Sequence, residues 1–465
     1  MTRRENAISI VRRLREEGHE AYFAGGSVRD ALLGKTPQDY DIATGATPDA
    51  VQKIFPKTIE VGAQFGVILV LQDGDSFEVA TFRHDGPYLD GRRPSHVRFA
   101  GMREDILRRD FTINGMMYDP FEDRVIDWVG GKEDLSRRLI RAIGDPRERF
   151  EEDRLRMVRA VRFAASLGFT IEENTFKAIR AEAGAITQVS WERIGEEVTR
   201  ILIEGGARRG FEMLDEGGLL AEILPEVARM KGVEQTPDYH PEGDVFAHTL
   251  LLLEQLKVSS EQLAVRSDPT PESSVLTSHS SLLTPHVTET LAYGALLHDV
   301  AKPVCIEKQG ERITYHGHTE KGAEMAREIL QRLKRSRAVW ERVAYLVKNH
   351  LRHTQAPKMR VATLKRFLGE EGIEELLELT RLDALASNGD LQYFDFCRRK
   401  LEEFKHEEIH PEPLLGGKEL IALGFTPGPL FHEILGELHE AQLEGAIQSQ
   451  EQALEWVKKN YGDRT

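Results

Sequence analysis

Gly25-Gly26-Ser27 and, one short stretch later, Asp39-Tyr40-Asp41 are the residues of this chain best suited to chemistry. Tyr22-Phe23-Ala24 reads as the end of a short apolar strand. Two glycines after it let the backbone turn tightly and approach a ligand without Cβ obstruction. Ser27 to Leu33 then reads as the opening of a helix, whose free N–H groups can cradle phosphates. Asp39 and Asp41 stand in an extended run, Asp39-Tyr40-Asp41-Ile42-Ala43, so both side chains are expected on one strand face. Two carboxylates beside a phosphate cradle can hold two Mg²⁺ ions for in-line phosphoryl displacement. Glu78 lies in a further strand-like run, Phe77 to Phe82, where a third acid would meet the first two. An edge-strand charge is the alternative there.

A second cluster is Arg108-Arg109-Asp110-Phe111-Thr112-Ile113-Asn114-Gly115. Arg109 suits phosphate or sugar, Asp110 can accept from a ribose hydroxyl, and Asn114 can lock a loop by bonding to backbone. Glu152-Asp153-Arg154-Leu155-Arg156 reads as the opening of the first long helix. Asp153 and Arg156, three apart, are then expected on one helix face. An acceptor and a forked donor side by side can read the edge of a flat base; a salt bridge is the plain alternative. Arg156, Arg159 and Arg162 continue at three-residue steps and suit a phosphate track.

A separate set runs through helical sequence: His248, His298-Asp299, His318, His350 and Asp383. These six can form a divalent-metal constellation that activates water for phosphoester hydrolysis. Satisfied packing histidines are the alternative, since the chain has 16 histidines.

These groups need elements to position them. Asn6 to Glu17 and Pro48 to Phe55 read as helices, the second entered through Thr47, a good N-cap. Tyr22 to Ala24, Tyr40 to Ala43, Val67 to Leu71 and Phe77 to Phe82 read as strands. From Arg147 onward the pattern is almost wholly helical, with Leu155, Val158, Val161 and Ala165 at helical spacing. Residues 258–286 are rich in Ser, Thr and Pro and read as a flexible insertion between two helices. The expected division is a head over 1–145, a helical neck over 146–230, a helical body over 231–390 and a helical tail over 391–465. The expected class is α+β.

At 465 residues the chain exceeds a single core. The net charge of −15 excludes nucleic-acid binding over the whole surface. Residues 83–162, however, carry slightly more Lys and Arg than Asp and Glu, which leaves a local basic track. Two cysteines, Cys305 and Cys397, make no disulfide framework and point to the cytoplasm. No apolar run is long enough for a membrane span, and the first residues do not read as a signal peptide.

In these motifs and their order the chain resembles the class II, bacterial-type tRNA nucleotidyltransferases and poly(A) polymerases of the DNA polymerase beta superfamily. The resemblance covers residues from about 20 to 230 and continues as a C-terminal HD domain. It rests on Gly25-Gly26-Ser27-Val28-Arg29-Asp30, Asp39-Tyr40-Asp41, Arg108-Arg109-Asp110-Phe111-Thr112 and Glu152-Asp153-Arg154-Leu155-Arg156. It implies a polymerase-beta-like head with a mixed sheet, then an all-helical neck, HD body and tail. It implies nucleotidyl transfer from ATP and CTP to the tRNA 3′ end, completing CCA or its terminal A. By resemblance Asp39 and Asp41 are catalytic and hold Mg²⁺, and Glu78, read from its own strand, is the third catalytic acid that supports them. Gly25, Gly26, Ser27, Arg29, Arg109, Asp110, Asn114, Asp153, Arg156, Arg159 and Arg162 then contact the nucleotide. His248, His298, Asp299, His318, His350 and Asp383 make the HD site, with an ion such as Ni²⁺, Mn²⁺ or Co²⁺. Phe82 to Pro94 looks like the family's loop for adding the terminal A. The absence of a basic C-terminal tail favours tRNA over poly(A) synthesis. Gly115 stands where the family more often has alanine, a hint of an A-adding variant.

Overall fold

The computed structural model describes residues 1–62, 66–85, 97–236, 240–264, 287–310, 312–404 and 413–462. They divide into two units, Met1–Arg229 with Ile329–Arg335, and Met230–Glu328 with Ser336–Thr465.

The first unit begins with helix α1 (Arg3–Glu16), started by a capping box between Thr2 and Glu5. Its Ala7, Ile10, Val11 and Leu14 recur at helical spacing and are fully buried. Strand β1 (Ala21–Ala24) leads through Gly25 into α2 (Gly26–Leu32), and β2 (Asp41–Thr44) follows. Helix α3 (Pro48–Ile54) is capped by the Thr47 side chain, as its sequence led us to expect. Then come β3 (Thr58–Gly62), β4 (Val67–Gln72), β5 (Asp75–Thr81), β6 (Arg83–Asp85) and β7 (Val97–Phe99). Helix α4 (Met102–Leu107) precedes β8 (Met117–Asp119) and β9 (Arg124–Ile126).

Seven of these strands form one sheet in the order β3-β4-β5-β2-β1-β8-β9. It is mixed: β2 and β5 pair in parallel, and the other pairs are antiparallel. The β2–β5 register sets Ile42 beside Val79. That brings Asp41 and Glu78 level on adjacent strands while Ile42 and Val79 point into the core. The short strands β3 and β6 to β9 were not evident in the sequence.

Past α5 (Gly131–Ser136) the unit is mostly helical: α6 (Pro146–Glu152), α7 (Arg156–Leu167), α8 (Glu173–Glu182) and α9 (Trp191–Ile203). The expected single helix across Glu152 to Arg156 is two. Asp153 leaves the helical conformation at φ −145° and ψ 103°, and α7 starts only at Arg156. The helical stretch is also interrupted by a parallel two-strand ladder, Leu139–Ile140 with Thr170–Ile171.

The second unit is built on helices Val245–Ala264, Glu289–Leu297, Arg337–Asn349 and Ile373–Ala386, with a small hairpin of Glu307–Gln309 and Arg312–Thr314. The first helix runs on into the expected insertion as far as Ala264, and residues 265–286 lie outside those described. Leu420, Ile434, Leu438, Val457 and neighbours form a separate apolar cluster near the chain end. Among the described residues no helix is long and apolar enough to cross a membrane.

Gly131 fixes how α5 meets the Thr112–Asn114 turn. A Cβ there would lie 2.3 Å from the Thr112 carbonyl oxygen and 2.8 Å from Met116 Cγ. Gly131→Ala is expected to cost about 1–3 kcal/mol through overpacking. Denaturant unfolding of the variant measures this, and an unchanged midpoint would contradict it.

Candidate functional site

A cavity of about 730 Å³ in the first unit is lined by Gly25, Gly26, Ser27, Arg29, Asp39, Asp41, Glu78, Arg109, Asp110, Asn114, Asp153, Arg156, Arg159 and Arg162. All fourteen catalytic and nucleotide-contact candidates named from the sequence therefore lie on its wall. Its size suits a nucleotide-sized ligand.

Gly25 makes the turn with φ 67° and ψ −130°, a conformation that side chains disfavour. A Cβ there would stand 3.4 Å from Arg109 Nη1 and 3.6 Å from Asp41 Oδ2. The turn thus lets an acid and an arginine close in on the backbone. Ser27, which also lines the cavity, donates its hydroxyl to the Ala24 carbonyl at 3.0 Å. It closes the turn.

The acids differ from the expected arrangement in one respect. Asp41 opens β2, but Asp39 lies before the strand and is largely exposed, where it pairs with Arg3 Nη2 at 2.7 Å. A shared strand face therefore does not bring them together; the loop into β2 does. Asp41 is pushed up to about 6, first by loss of water around its carboxylate, then by the charge of Glu78. Arg109 opposes this, and Asp39 adds to it. A carboxylate whose proton affinity is raised by two neighbouring carboxylates belongs to a set that a cation would relieve.

Asp105 was not singled out, yet it holds both arginines of the second cluster, Arg108 Nη2 at 2.6 Å and Arg109 Nη2 at 2.9 Å. Asp105 is buried, which alone would raise its pKa, but Arg109 and then Arg108 hold it below the usual carboxylate range. The signal was present in its spacing of three and four residues from them on α4.

Asp110 accepts from Arg159 Nη2 at 2.6 Å and Nε at 3.1 Å, and from Asn114 Nδ2 at 3.2 Å. Asn114 Oδ1 in turn accepts from Arg29 Nη1 at 3.0 Å. So Asn114 bridges two charged side chains, where a bond to backbone was expected. Gly115 has a packing reason: a Cβ would meet Ile143 Cδ1 at 2.8 Å and Val129 Cγ2 at 2.9 Å.

Asp153 and Arg156 both face the cavity but do not share a helix face, because the chain breaks between α6 and α7. Each is held by other partners. Arg193 of α9 grips Asp153 with contacts of 2.7 and 3.2 Å. Arg156 donates to Glu152 at 2.7 Å and to the Arg149 and Arg108 carbonyls at 3.1 Å.

Arg159 and Arg162 do share a face of α7, and Glu197 of α9 lies between them. Glu197 Oε2 takes Arg162 Nε at 2.6 Å, and Oε1 takes Arg159 Nη1 at 3.4 Å. Arg162 is buried and reaches Glu204 at 3.1 Å as well. Burial would weaken the charge of Arg159, but Asp110 and then Glu197 hold it more firmly protonated than usual. The Phe163 ring underlies three guanidiniums, of Arg29, Arg159 and Arg162, at 5.3, 5.4 and 4.0 Å. Arg83, Arg108, Phe163, Arg193 and Arg200 also line the cavity. Of these only Arg108 was within a motif. The expected A-addition loop falls mainly on 86–96, outside the described residues.

The second unit gathers the six other candidates. His248 Nε2 lies 2.9 Å from Asp383 Oδ1 and 3.3 Å from His298 Nε2. Asp299 Oδ1 lies 3.6 Å from His318 Nε2 and 3.8 Å from His350 Nε2. The sets His248–His298–Asp383 and Asp299–His318–His350 each offer three ligand atoms within 4.8 Å of one another. The fit to a cation follows from the ring orientations. His298, His318 and His350 turn Nδ1 to the backbone carbonyls of Ala295, Tyr315 and Val347 at 3.0, 2.8 and 2.7 Å. An N–H must sit on Nδ1 there, so each neutral ring turns an Nε2 lone pair inward. Among the described residues, buried Asp299 Oδ1 and His318 Nε2 have no hydrogen-bond partner. A cavity of about 220 Å³ reaches Asp299, His318, His350 and Asp383, with His240, Lys302 and Tyr315 on its wall. Lys302 Nζ holds the other oxygen of Asp299 at 2.6 Å.

Comparison with known proteins accords with this layout. Residues 21–141 match the family described as "Poly A polymerase head domain". Residues 168–231 match "Probable RNA and SrmB- binding site of polymerase A", and 246–388 match "HD domain". A CCA-adding enzyme of Geobacillus thermodenitrificans is 46% identical over 225 residues, 48% of this chain and 55% of that protein. One of Bacillus subtilis is 43% identical over 218 residues, 47% of this chain and 55% of that protein. The chain thus spans about half the length of the curated relatives it matches. The solved Bacillus stearothermophilus CCA-adding enzyme in complex with CTP aligns over 100% of this chain and 99% of its own, with TM-score 0.72 and 26% identity. Three family models thus match this chain in succession: a poly(A) polymerase head, an RNA-binding segment and an HD domain.

The matched poly(A) polymerase head and HD domains imply use of a divalent metal. The residues present fit that use: carboxylates converge in the head, and inward imidazole lone pairs with carboxylates converge in the HD domain. Glu197, which holds two of the cavity's arginines, is the least visible part of this network, since nothing in its sequence context marks it. Its loss strips one carboxylate from each of two buried or half-buried arginines, which keep a second one. Glu197→Ala is therefore expected to cost about 1–3 kcal/mol, below the toll of an arginine losing its only partner. Urea unfolding of the variant is the check; stability equal to wild type would contradict the assigned network.

Proposed function

We propose that this chain adds nucleotides to the 3′ end of tRNA without a nucleic-acid template, completing CCA from CTP and ATP. The reading is carried by one observation: a glycine turn, three carboxylates, an arginine track and the Asp153–Arg156 pair line a single cavity. In it Gly25, Gly26, Arg29, Arg159 and Arg162 take the triphosphate, and Arg109, Asp110 and Asn114 border the sugar. Asp153 and Arg156 read the base edge, one as acceptor and one as donor. Asp39 and Asp41, supported by Glu78, would hold two Mg²⁺ ions. Those ions would supply activation of the 3′-hydroxyl and charge neutralisation of the leaving pyrophosphate. Arginines already paired with acids need little rearrangement to exchange a carboxylate for a phosphate. Residues 1–145 are the head, 146–230 the neck, 231–390 the HD body and 391–465 the tail in this reading, and the cytoplasm is its place.

The test is incubation with tRNA ending at the discriminator base or in CC, Mg²⁺ and each labelled nucleoside triphosphate. Incorporation of C then A supports CCA addition; long A tracts on unrelated RNA would favour poly(A) synthesis instead. Asp41→Ala is expected to abolish incorporation in a folded protein. Asp153→Ala and Arg156→Ala are expected to weaken discrimination among the four nucleotides by about 1–3 kcal/mol, the worth of a bidentate contact.

The raised pKa of Asp41 adds a pH signature. Below about 6 a metal ion must displace its proton, so affinity falls with acidification by up to about tenfold per unit. At limiting Mg²⁺, incorporation is expected to rise with pH to about 6–7 and then level off. Saturating Mg²⁺ should flatten the rise; a profile indifferent to Mg²⁺ would count against Asp41 as a ligand.

A second activity is favoured by the inward Nε2 atoms of the other unit: metal-dependent phosphohydrolysis of a 2′,3′-cyclic or terminal phosphate. Imidazole and carboxylate together suit Ni²⁺, Mn²⁺ or Co²⁺ better than Mg²⁺. Assay of 2′,3′-cyclic AMP with each ion is the test. Hydrolysis should vanish in Asp299→Ala while nucleotide incorporation survives.

A further inference from the structure

Among the HD-site histidines one is oriented differently. His298, His318 and His350 each turn Nδ1 to the carbonyl three residues earlier. His248 does not use the matching carbonyl, on Val245, which accepts the Thr249 hydroxyl at 2.9 Å. Its Nδ1 instead meets Glu242 Oε1 at 2.6 Å. Glu242 lies just before the helix that carries His248, and its side chain is 6% exposed. The same oxygen meets His240 Nδ1 at 2.9 Å, and the His240 ring packs edge-on against that of His248 with centroids 4.9 Å apart.

His240, Glu242 and His248 also offer three atoms close enough to surround an ion. The distances argue against that use. Contacts of 2.6 and 2.9 Å from one oxygen to two ring nitrogens are hydrogen-bond lengths, and His248 has only one other nitrogen. That nitrogen is the one beside Asp383 and His298. A carboxylate on Nδ1 keeps the proton there, aims Nε2 at the ion and makes it a better donor.

We propose that Glu242 is the positioning residue of the HD metal centre, a charged outer partner that fixes the tautomer and orientation of His248 and thereby sets metal affinity. It supplies for His248 what neutral backbone carbonyls supply for the other three rings. Because it alone of those partners is a side chain, it alone can be changed by mutation. The inference rests on reading the HD site as a metal centre.

The experiment is calorimetric titration of the metal-free full-length protein with Mn²⁺ and with Zn²⁺. Wild type, Glu242→Gln, Glu242→Ala and His298→Ala are compared, with the fold of each checked by circular dichroism. Glu242→Ala is expected to bind 10- to 100-fold more weakly than wild type, the usual toll of losing such a partner. Glu242→Gln keeps the shape and an acceptor oxygen but not the charge, so its affinity should fall between. His298→Ala marks the loss of a direct ligand. In the Zn²⁺ form, the imidazole N–H proton bonded to Glu242 should resonate far downfield and move upfield in Glu242→Gln, a change that packing alone would not produce. Equal affinity in wild type and both Glu242 variants, with His298→Ala impaired, would overturn the role of Glu242 and leave the metal centre standing. A wild type that binds neither ion would overturn the metal reading and the role of Glu242 with it.

Discussion

The ion pair between Arg159 and Asp110, 2.6 Å long, is the joint on which the head site turns. On one side Asp110 takes Asn114, which takes Arg29, one turn into the helix that follows Gly25. On the other side Arg159 reaches Glu197, which holds Arg162, which reaches Glu204. A continuous run of charge-assisted hydrogen bonds thus connects the glycine turn on the sheet to α7 and α9. Elements far apart in sequence are fixed relative to one another by that run. Charge-assisted bonds in a partly dry cleft are stronger than their surface counterparts and specific in direction.

The same network answers an electrostatic problem. Arginines crowded about one cavity would repel one another if each stood alone. Every member of the track that the motifs supplied has instead a carboxylate: Asp105 for Arg109, Glu152 for Arg156, Asp110 for Arg159 and Glu197 for Arg162. The carboxylates on and just before the central strands β2 and β5 have no such cover in full. Asp39 meets Arg3, but Asp41 is left beside Glu78 with its proton affinity raised. The cavity is therefore divided: one wall has its charge already balanced, and the other carries an excess of negative charge beside the glycine turn. The second wall is where a divalent cation gains most.

The motif residues were legible because each is a local pattern with a chemical meaning. Gly25-Gly26 signals a turn, and the catalytic and nucleotide-contact candidates named from the sequence do line one cavity. The strands β4 and β5 and the cap of α3 were legible for the same reason. What sequence spacing could not supply was the partner of each side chain. The i, i+3 rule placed Asp153 and Arg156 on one face, but it presumes an unbroken helix, and the backbone turns out of helix at Asp153. Alternation put Asp39 and Asp41 on one strand, but pairing with β1 and β5 begins only at Asp41 or later. Arg193 and Glu197 were silent because they act across a gap of forty and thirty-five residues, on Asp153 and Arg162. Strands of three residues, such as β8 and β9, carry too little pattern to be read alone and are defined by their neighbours.

The two sites also differ in kind, and the difference follows from which atoms the fold turns inward. The acid set at β2 and β5 offers only carboxylate oxygens, hard donors that suit an ion which keeps much of its water. The helical site offers imidazole nitrogens with their lone pairs already aimed by hydrogen bonds on the far side of each ring. Aiming a ring before the ion arrives lowers the ordering cost of binding, and nitrogen donors favour transition metals over Mg²⁺. A chain with both sets can use two metals without either competing strongly for the other's place. That separation is written in donor chemistry: each set is drawn from within one unit, the carboxylates from the first and the histidines from the second.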